Sequence, residues 1–275
     1  MAGMLYLVPT PIGNLGDISI RCRETLEAAD FIAAEDTRVS LKLLNHLGIK
    51  KSLVSYYEHN KAFKGDKIVE RILAGETCAL VSDAGSPAIS DPGEDLVKQC
   101  AAAGITVCAI PGPCAAITAL SISGQATGRF CFEGFLSTAR KSRREHLESL
   151  QKEQRTMIFY EAPHTLVTTL EDMAEAFGKD RPISLCRELT KLHEEVVRTT
   201  LGEAVAKYTE TPPKGEFVLV VAGAPEEVKE TASEEDAAAR VEALIAQGLS
   251  RKDAVKQTAK ELNLPKNVVY DIALK

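Results

Sequence analysis

Short apolar runs alternate with amphipathic segments through the first half of the chain. Runs of four to six residues predict five β-strands, at 5–8, 31–34, 53–57, 78–82 and 105–110. Between the strands, apolar residues recur at helical spacing, as at Leu41, Leu44 and Leu47. Regular alternation of strands and helices predicts an α/β fold with a parallel sheet.

The second half predicts another α/β domain and a helical tail. A polar, basic segment over 137–155 separates the two domains, and the acidic, apolar-poor run over 224–236 predicts a linker. Beyond it we predict a helix over 237–246 and two short helices around a turn at 262–265, a helix-turn-helix shape. The predicted organisation is a first domain over 1–136, an interdomain segment over 137–155, a second domain over 156–224, and a linker and tail over 225–275.

Four loops rich in glycine, proline and small polar residues follow strands of the first domain. They are PTPIGN (9–14), EDTR (35–38), SDAGSPAISDPG (82–93) and PGPCAA (111–116). Ligands of parallel α/β sheets bind beyond the carboxyl ends of the strands. One such loop would favour a structural turn, but four on one edge of the sheet predict a ligand site.

The amino-acid composition excludes several classes of function. The 275 residues carry a net charge of −6, so any contact with nucleic acid must come from local basic patches. The apolar runs are too short to span a bilayer, and the N-terminus resembles a first strand rather than a cleavable signal. Seven cysteines without a CxxC or a zinc-like spacing predict reduced thiols, a cytoplasmic protein and no metal site.

The loop sequences also restrict the ligand. Neither GxxxxGK[ST] nor GxGxxG is present, and Lys42 is the one lysine close to the N-terminal strand ends, which disfavours a nucleoside triphosphate. Glycines and prolines let the backbone approach a ligand closely in a fixed loop shape. A ligand that combines a nucleoside with a zwitterion fits better, and S-adenosylmethionine is such a molecule.

Several of these motifs, in this order, resemble the tetrapyrrole methylase superfamily over residues 4–223. They are LYLVPTPIGNLGDIS, AEDTR, YYEHN, LVSDAGSPAISDPG, PGPCAA, FYEAPH, CRELTKLHEE and KGEFVLVV. The resemblance implies two α/β domains with S-adenosylmethionine in the cleft between them, and a homodimer. It is strongest to the bacterial members that methylate the ribose 2′-hydroxyl of a cytidine in the decoding centre of 16S rRNA, in the small ribosomal subunit.

The resemblance also implies which residues hold the cofactor. The first domain would contribute seven of them and the second domain would close the site with three more. The implied cofactor-binding residues are Ile12, Asp83, Gly85, Ser86, Ile89, Cys114, Ala115, Tyr160, Thr190 and Gly215.

Four residues on the strand-end loops are candidates for the catalytic group, because a weakly acidic ribose hydroxyl benefits from a base or from a charge that stabilises the alkoxide. They are Glu35, Asp36, His59 and Lys191, and the loops that carry the first three are preferred. Glu35, Asp36 and Arg38 equally fit a helix cap with an ion pair, and His59 equally fits a surface histidine.

Five basic residues are candidates for RNA contact: Arg38, Arg140, Lys141, Arg143 and Arg144. A charge cluster is usually a solvated face, but beside an RNA cleft it favours phosphate contact. Two alternatives to rRNA methylation stay open. One is the same fold acting on a tetrapyrrole or on diphthine, and the other is a non-catalytic RNA-binding module.

Overall fold

The computed structural model describes residues 3–59, 61–225, 234–262 and 264–274. The chain divides into two compact units, Met1–Ala224 and Pro225–Lys275. Within the described residues no helix combines the length and the apolar character needed to cross a membrane.

The first sheet of unit 1 is parallel and five-stranded. Its strands are β1 (Met4–Leu7), β2 (Phe31–Ala34), β3 (Ser52–Ser55), β4 (Cys78–Val81) and β5 (Thr106–Ala109), in the order β3-β2-β4-β1-β5. Strands β2 and β4 are buried along their whole length because helices cover both faces. The helices between the strands are α1 (Ile20–Ala28), α2 (Thr37–Leu47), α3 (Lys61–Leu73) and α4 (Gly93–Ala102). All five predicted strands form within two residues of their expected limits.

The second sheet also has five strands but is mixed. Its strands are β6 (Phe130–Phe135), β7 (Thr156–Glu161), β8 (Pro182–Arg187), β9 (Glu195–Thr200) and β10 (Phe217–Val221), in the order β6-β7-β10-β8-β9. Strands β6 and β7 are parallel, whereas β10 runs antiparallel to β7 and β8, and β8 antiparallel to β9.

Helices cover both faces of the second sheet. On one face pack α6 (Arg140–Ser149), α7 (Leu166–Phe177) and α8 (Leu201–Glu210), against strand residues such as Phe159 and Leu219. On the other face lies α5 (Ala115–Ser123), whose Ala119 and Leu120 share a core with Ile158. Because β5 belongs to the first sheet and α5 packs on the second, the PGPCAA loop connects the two.

The boundary between the sheets corrects the predicted boundary between the domains. Strand β6 falls in the range predicted for the first domain, 1–136, but it pairs with β7 in the second sheet. The segment over 137–155, expected to be an interdomain connection, contains α6, whose Leu147 is fully buried in the core of the second sheet. Its polar sequence reflects the exposed face of this helix.

The C-terminal unit is a small helical domain, as predicted. It contains α9 (Glu234–Ala246), α10 (Arg251–Glu261) and α11 (Lys266–Ile272), around a core that includes Val241, Leu244, Val255 and Val269. The side chain of Ser250 caps α10 by accepting from the backbone N–H of Asp253 at 3.2 Å. The predicted linker over 224–236 lies mostly outside the described residues.

Candidate active site

The loops that follow β1, β4 and β5 are joined by hydrogen bonds. Thr10 and Gly85 exchange two backbone hydrogen bonds of 3.0 Å each, and the buried Thr10 hydroxyl donates to the Ser82 carbonyl at 3.2 Å. The Ser86 hydroxyl donates to the Pro113 carbonyl at 2.9 Å. The three loops therefore form one rim at the carboxyl edge of the first sheet.

The loop after β4 is wound around one carboxylate. Asp91 accepts from the backbone N–H groups of Ala88 at 3.0 Å, Ile89 at 3.3 Å and Gly93 at 2.7 Å. Ala88 and Ser90 have φ angles of 69° and 63°, a left-handed conformation that is costly for residues with a side chain. The Asp91 carboxylate helps to hold this conformation, and strain of this kind is common at binding sites.

The loop between β8 and β9 forms the facing wall and is also strained. Glu188 and Thr190 have φ angles of 51° and 66°. The Lys191 Nζ donates to Glu188 Oε1 at 2.9 Å and to Glu216 Oε2 at 2.7 Å. Gly215 has a φ of 82°, and a Cβ there would lie 2.5 Å from the Glu188 side chain. The lysine thus joins the β8–β9 loop to the start of β10, and only glycine fits at position 215.

Tyr160, on β7, joins the second sheet to the first turn of α5. Its hydroxyl accepts from the backbone N–H of Ala116 at 3.2 Å, and its ring packs edge-on against Phe132 and Phe135. Burial, with a smaller contribution from Cys114, raises the pKa of Tyr160 to about 12. The phenol is therefore neutral at physiological pH and forms a rigid wall.

These walls enclose a cavity of about 420 Å³ within unit 1. A volume of this order is typical of pockets for small molecules, about 300–1,000 Å³. Eight of the ten residues implied to bind the cofactor line it: Ile12, Asp83, Gly85, Ser86, Ile89, Cys114, Ala115 and Tyr160. Thr190 and Gly215 do not line it themselves, but their neighbours Leu189, Lys191 and Glu216 do.

The lining of this cavity is acidic. Among the described residues around it, Lys191 is the one basic side chain, against six carboxylates from Glu35, Asp83, Asp91, Glu161, Glu188 and Glu216. Such a lining favours a ligand with positive charge and disfavours a polyphosphate. Across the described residues no group of three or more His, Cys, Asp or Glu side chains is arranged to hold a metal ion.

The structure separates the four catalytic candidates. Glu35 lies at the carboxyl end of β2, partly buried, and lines the cavity. Burial raises its pKa, and the nearby charges of Asp83, Asp91 and Asp36 raise it further. A carboxylate with a raised pKa at a cavity edge has the properties of a general base.

Asp36 has a structural role. It is the N-cap of α2 and accepts from the backbone N–H of Arg38 at 2.8 Å, while the Arg38 guanidinium lies 2.6 Å from its other oxygen. The side-chain hydrogen bond from Arg38 is the largest of the effects that lower the pKa of Asp36 to about 2. The cap-and-ion-pair interpretation therefore describes Asp36 and Arg38, whereas Glu35 has neither role.

The other two candidates are less suited to proton transfer. His59 is exposed, contacts Tyr57 edge-on and does not line the cavity. Lys191 lines the cavity, but two carboxylates hold its ammonium group, and its pKa is raised because these hydrogen bonds outweigh the opposing effect of burial. The structure brings Glu35 and Lys191 to the cavity and leaves Asp36 and His59 outside its lining.

Three arginines of the basic cluster on α6 converge on one buried carboxylate, and the burial of one of them corrects a predicted RNA contact. The side chain of Arg143 is 5% exposed, and its Nη2 lies 2.7 Å from Asp172, a carboxylate of α7 that is itself 1% exposed. Arg140 and Arg144 also bind Asp172, at 3.2 and 3.5 Å, although both remain partly exposed. Lys141, which is 89% exposed, is available to a partner, and Arg143 is not.

Several cavity residues were not predicted from the sequence. Glu188 and Glu216 lie within two residues of the predicted residues Thr190 and Gly215. The glycine at position 215 indicated that the backbone there lies close to another group. Asp91 was readable as a turn residue of the DPG sequence, but its role in holding the loop requires the loop geometry. Phe135 comes from β6, which lacked a clear strand pattern.

Comparison with known proteins identifies the family to which the chain belongs. The family model for tetrapyrrole (corrin/porphyrin) methylases matches residues 4–205, and a model described as the RsmI C-terminal HTH domain matches residues 231–275. The chain belongs to the tetrapyrrole methylase family, as its motifs predicted.

Relatives of full length share the name ribosomal RNA small subunit methyltransferase I. The protein from Synechocystis sp. is 50% identical over 99% of this chain and 98% of its own length. The proteins from Bacillus subtilis and Escherichia coli O157:H7 are 48% and 46% identical, over 98% and 99% of this chain and 93% and 95% of their own lengths.

Solved structures share the fold at low identity. Uroporphyrin-III C-methyltransferase from Thermus thermophilus matches with a TM-score of 0.57 and 20% identity, over 79% of this chain and 94% of that one. A diphthine synthase matches with a TM-score of 0.61 and 15% identity, over 80% and 90%. At these identities the likeness establishes the architecture alone.

Proposed function

We propose that this protein is an S-adenosylmethionine-dependent methyltransferase that methylates the ribose 2′-hydroxyl of a cytidine in the decoding centre of 16S rRNA. The observation that carries the proposal is the acidic cavity of about 420 Å³ at the joined strand-end loops, with Glu35 at its edge. The name shared by relatives 43–50% identical along the whole chain supports the same reaction class and rRNA as substrate.

The cavity fits the methyl donor in both charge and surface. The sulfonium and ammonium groups of S-adenosylmethionine are cationic, and six carboxylates surround the cavity. Apolar side chains such as Ile12, Leu189 and Val218 offer a surface for the adenine ring. The strained backbone of the loop after β4 presents polar groups in fixed positions. When bound in this cavity, the donor supplies an electrophilic methyl group.

Glu35 is the residue best placed to handle the proton. A ribose hydroxyl becomes a better nucleophile as its proton moves to a base, and Glu35 accepts that proton in our account. Its raised pKa brings it closer to physiological pH, which suits a base better than the low pKa of Asp36. Lys191 acts as a positioning residue that holds Glu188 and Glu216 in the facing wall.

RNA would approach over exposed basic groups near the cavity edge and on α6. Arg38 is 87% exposed beside Glu35, and Lys141, with the exposed parts of Arg140 and Arg144, provides further contacts. Such contacts position the RNA by its phosphates. Arg143 is left out of this set because it is buried.

The two alternatives receive less support. The structures named for uroporphyrin and diphthine chemistry are 20% identical or less, whereas the rRNA methyltransferases are close to half identical over the full chain. A non-catalytic RNA-binding module does not require an acidic cavity formed by strained loops.

The assembly and location are part of the proposal. We place the protein in the cytoplasm, where ribosomal subunits are made, as a homodimer. Strongly exposed apolar residues of unit 1, among them Ile20, Phe63 and Leu192, are consistent with a contact between copies. Sedimentation equilibrium tests the dimer: a mass near twice 29.7 kDa is expected, and a monomer at micromolar concentration would contradict it.

Mass spectrometric mapping of ribose methylation tests the reaction directly. We expect one decoding-centre cytidine of 16S rRNA to lose its 2′-O-methyl group in cells without this protein and to regain it when the wild-type gene is restored. An unchanged methylation map would refute the proposed substrate. A methyl group lost from a base rather than from a ribose would refute the 2′-O specificity.

A further inference from the structure

A second cavity, of about 230 Å³, lies between helix α2 and the loop that follows β1. Val39, Lys42 and His46 of α2 line one wall at helical spacing, and Pro11 and Leu15 of the loop line the other. From its position and chemistry we infer that this cavity binds a nucleotide of the RNA substrate next to the nucleotide that is methylated. The inference rests on the proposed function and specifies where the substrate continues beyond the reacting ribose.

The two basic side chains of this cavity are unpaired among the residues that the structure describes. Neither Lys42 nor His46 forms an ion pair with any residue the structure describes, whereas Arg38, earlier on the same helix, is bound to Asp36. Both side chains are exposed, in a chain whose net charge is −6. A cation without an internal partner is available to a phosphate, and phosphate contacts position a nucleic acid.

The walls beside Lys42 and His46 suit a base. Leu15 and Val39 are 46% and 39% exposed, so they present apolar surface to the cavity rather than to the core. Buried hydroxyl-bearing residues, Thr10 and Ser40, lie among its lining. Apolar surface on two sides with a cation at one end matches the shape of a nucleotide, which has a flat base and an anionic phosphate.

The second cavity adjoins the donor cavity through shared lining residues. Ser82 and Asp83 line both, and Glu35, at the edge of the first, directly precedes Asp36, the cap of α2. The two cavities differ in lining charge: among the residues that the structure describes, six carboxylates and one lysine line the first, and one carboxylate, Asp83, and one lysine, Lys42, line the second. A phosphate is therefore repelled by the donor cavity, whereas in the second cavity the exposed Lys42 can bind it, so an RNA with its ribose at Glu35 would extend along α2.

Two single substitutions separate this role from a general effect of charge. Lys42→Ala removes the cation and Leu15→Ala shortens the apolar wall, and both side chains are exposed enough for the fold to tolerate the change. Lys50→Ala is the matched control, because Lys50 is exposed beyond the end of α2 and lines neither cavity. The substrate is small ribosomal subunits from cells without this protein, with tritiated S-adenosylmethionine as the donor.

We expect Lys42→Ala and Leu15→Ala each to raise the KM for subunits at least 5-fold, with donor affinity by calorimetry within 2-fold of wild type. For Lys42→Ala, the slope of log affinity for 16S rRNA against log salt should shrink by about 0.7, the loss of one phosphate contact on a single strand. Lys50→Ala should match wild type. Photo-cross-linking with 4-thiouridine-substituted rRNA should give adducts within 10–15 or 39–46.

Distinct outcomes overturn distinct claims. If the wild type methylates rRNA while Lys42→Ala and Leu15→Ala behave like Lys50→Ala, the nucleotide site is refuted and the proposed function stands. Adducts of 4-thiouridine that fall only outside 10–15 and 39–46 would also refute it. If the wild type binds the donor but methylates no RNA, the proposed function fails and the inference fails with it.

Discussion

Thr10 and Gly85 exchange two backbone hydrogen bonds, each of 3.0 Å, between loops that are 75 residues apart in the sequence. This pairing turns separate strand-end loops into one surface and sets Ile12 against Gly85. A Cβ at position 85 would lie 3.3 Å from Ile12 Cγ2 and 3.6 Å from the Pro113 carbonyl oxygen. The donor cavity therefore depends on the absence of a side chain at this position.

Replacing Gly85 by valine should abolish detectable donor binding in calorimetry, because the side chain would fill space between the loops. The φ of 84° at Gly85 adds a backbone cost of about 1–2 kcal/mol for any residue with a Cβ. Gly104→Val is the matched control, since Gly104 has a φ of 70° and nothing within 4 Å of its Cβ position. Equal donor affinity in the two variants would show that the loop does not contact the donor.

Glu35→Gln should lower kcat by about 10²–10⁴-fold and leave donor affinity nearly unchanged, because the amide cannot accept the ribose proton. In the wild type the rate should fall as the pH drops through the raised pKa of Glu35, and the variant should lose this limb of the pH–rate profile. Glu24→Gln, an exposed position on α1, is the control. A variant that retains more than a third of wild-type kcat would assign the proton to another group.

The same substitution should stabilise the folded protein at neutral pH. Between the ordinary pKa of a glutamate and the raised pKa of Glu35, the folded state binds more protons than the unfolded state, so the free energy of unfolding falls as the pH rises through this window. Glu35→Gln removes that loss. We expect a higher Tm than wild type at pH 7 and a smaller difference below about pH 4. An equal difference at both pH values would mean that charge burial at Glu35 has no energetic effect.

Tyr160→Phe should reduce stability more than donor affinity. The substitution removes the acceptor of the Ala116 N–H and leaves that donor unpaired, at a cost of about 1–3 kcal/mol. The ring and its contacts with Phe132 and Phe135 persist, so donor affinity should stay within 3-fold, whereas Tyr160→Ala should lower it more than 10-fold. A 10-fold loss in the phenylalanine variant would mean that the hydroxyl contacts the donor.

Arg143→Met should lower stability, whereas Lys141→Met should lower RNA binding. Removal of Arg143 leaves the buried Asp172 with weaker neutralisation and should destabilise the protein by about 3–5 kcal/mol in urea unfolding. Lys141 is exposed, so its removal should leave stability within about 0.5 kcal/mol and weaken binding to rRNA. A stable Arg143→Met protein with weakened RNA binding would return Arg143 to the RNA surface.

The sequence predicted features that depend on local pattern. Strands such as 31–34 and 78–82 are short apolar runs with clear limits, and the loops after them carry unusual residues, so the position of the site followed from topology. Helix α5 was missed because AAITALSIS is apolar on nearly all sides and shows no helical period. Packing against the second sheet stabilises this segment as a helix.

Features that depend on a distant partner could not be predicted. Arg143 looks like any member of a basic cluster until α7 places Asp172 against it, 29 residues away. The distinction between Glu35 and Asp36 likewise requires the structure, since only the fold directs one carboxylate to the cavity and the other to Arg38. The difference in lining charge between the two cavities arises in the same way. Residues from both halves of unit 1 line the first cavity, and helix α2 with the loops after β1 and β4 lines the second.

An experimental structure of the protein with S-adenosylhomocysteine, the product form of the donor, tests the central claim most directly. We predict density for this molecule in the cavity lined by Gly85, Cys114 and Tyr160, with its sulfur nearer to Glu35 than to Lys42. Density in the cavity beside α2, or at any site away from these loops, would contradict the account.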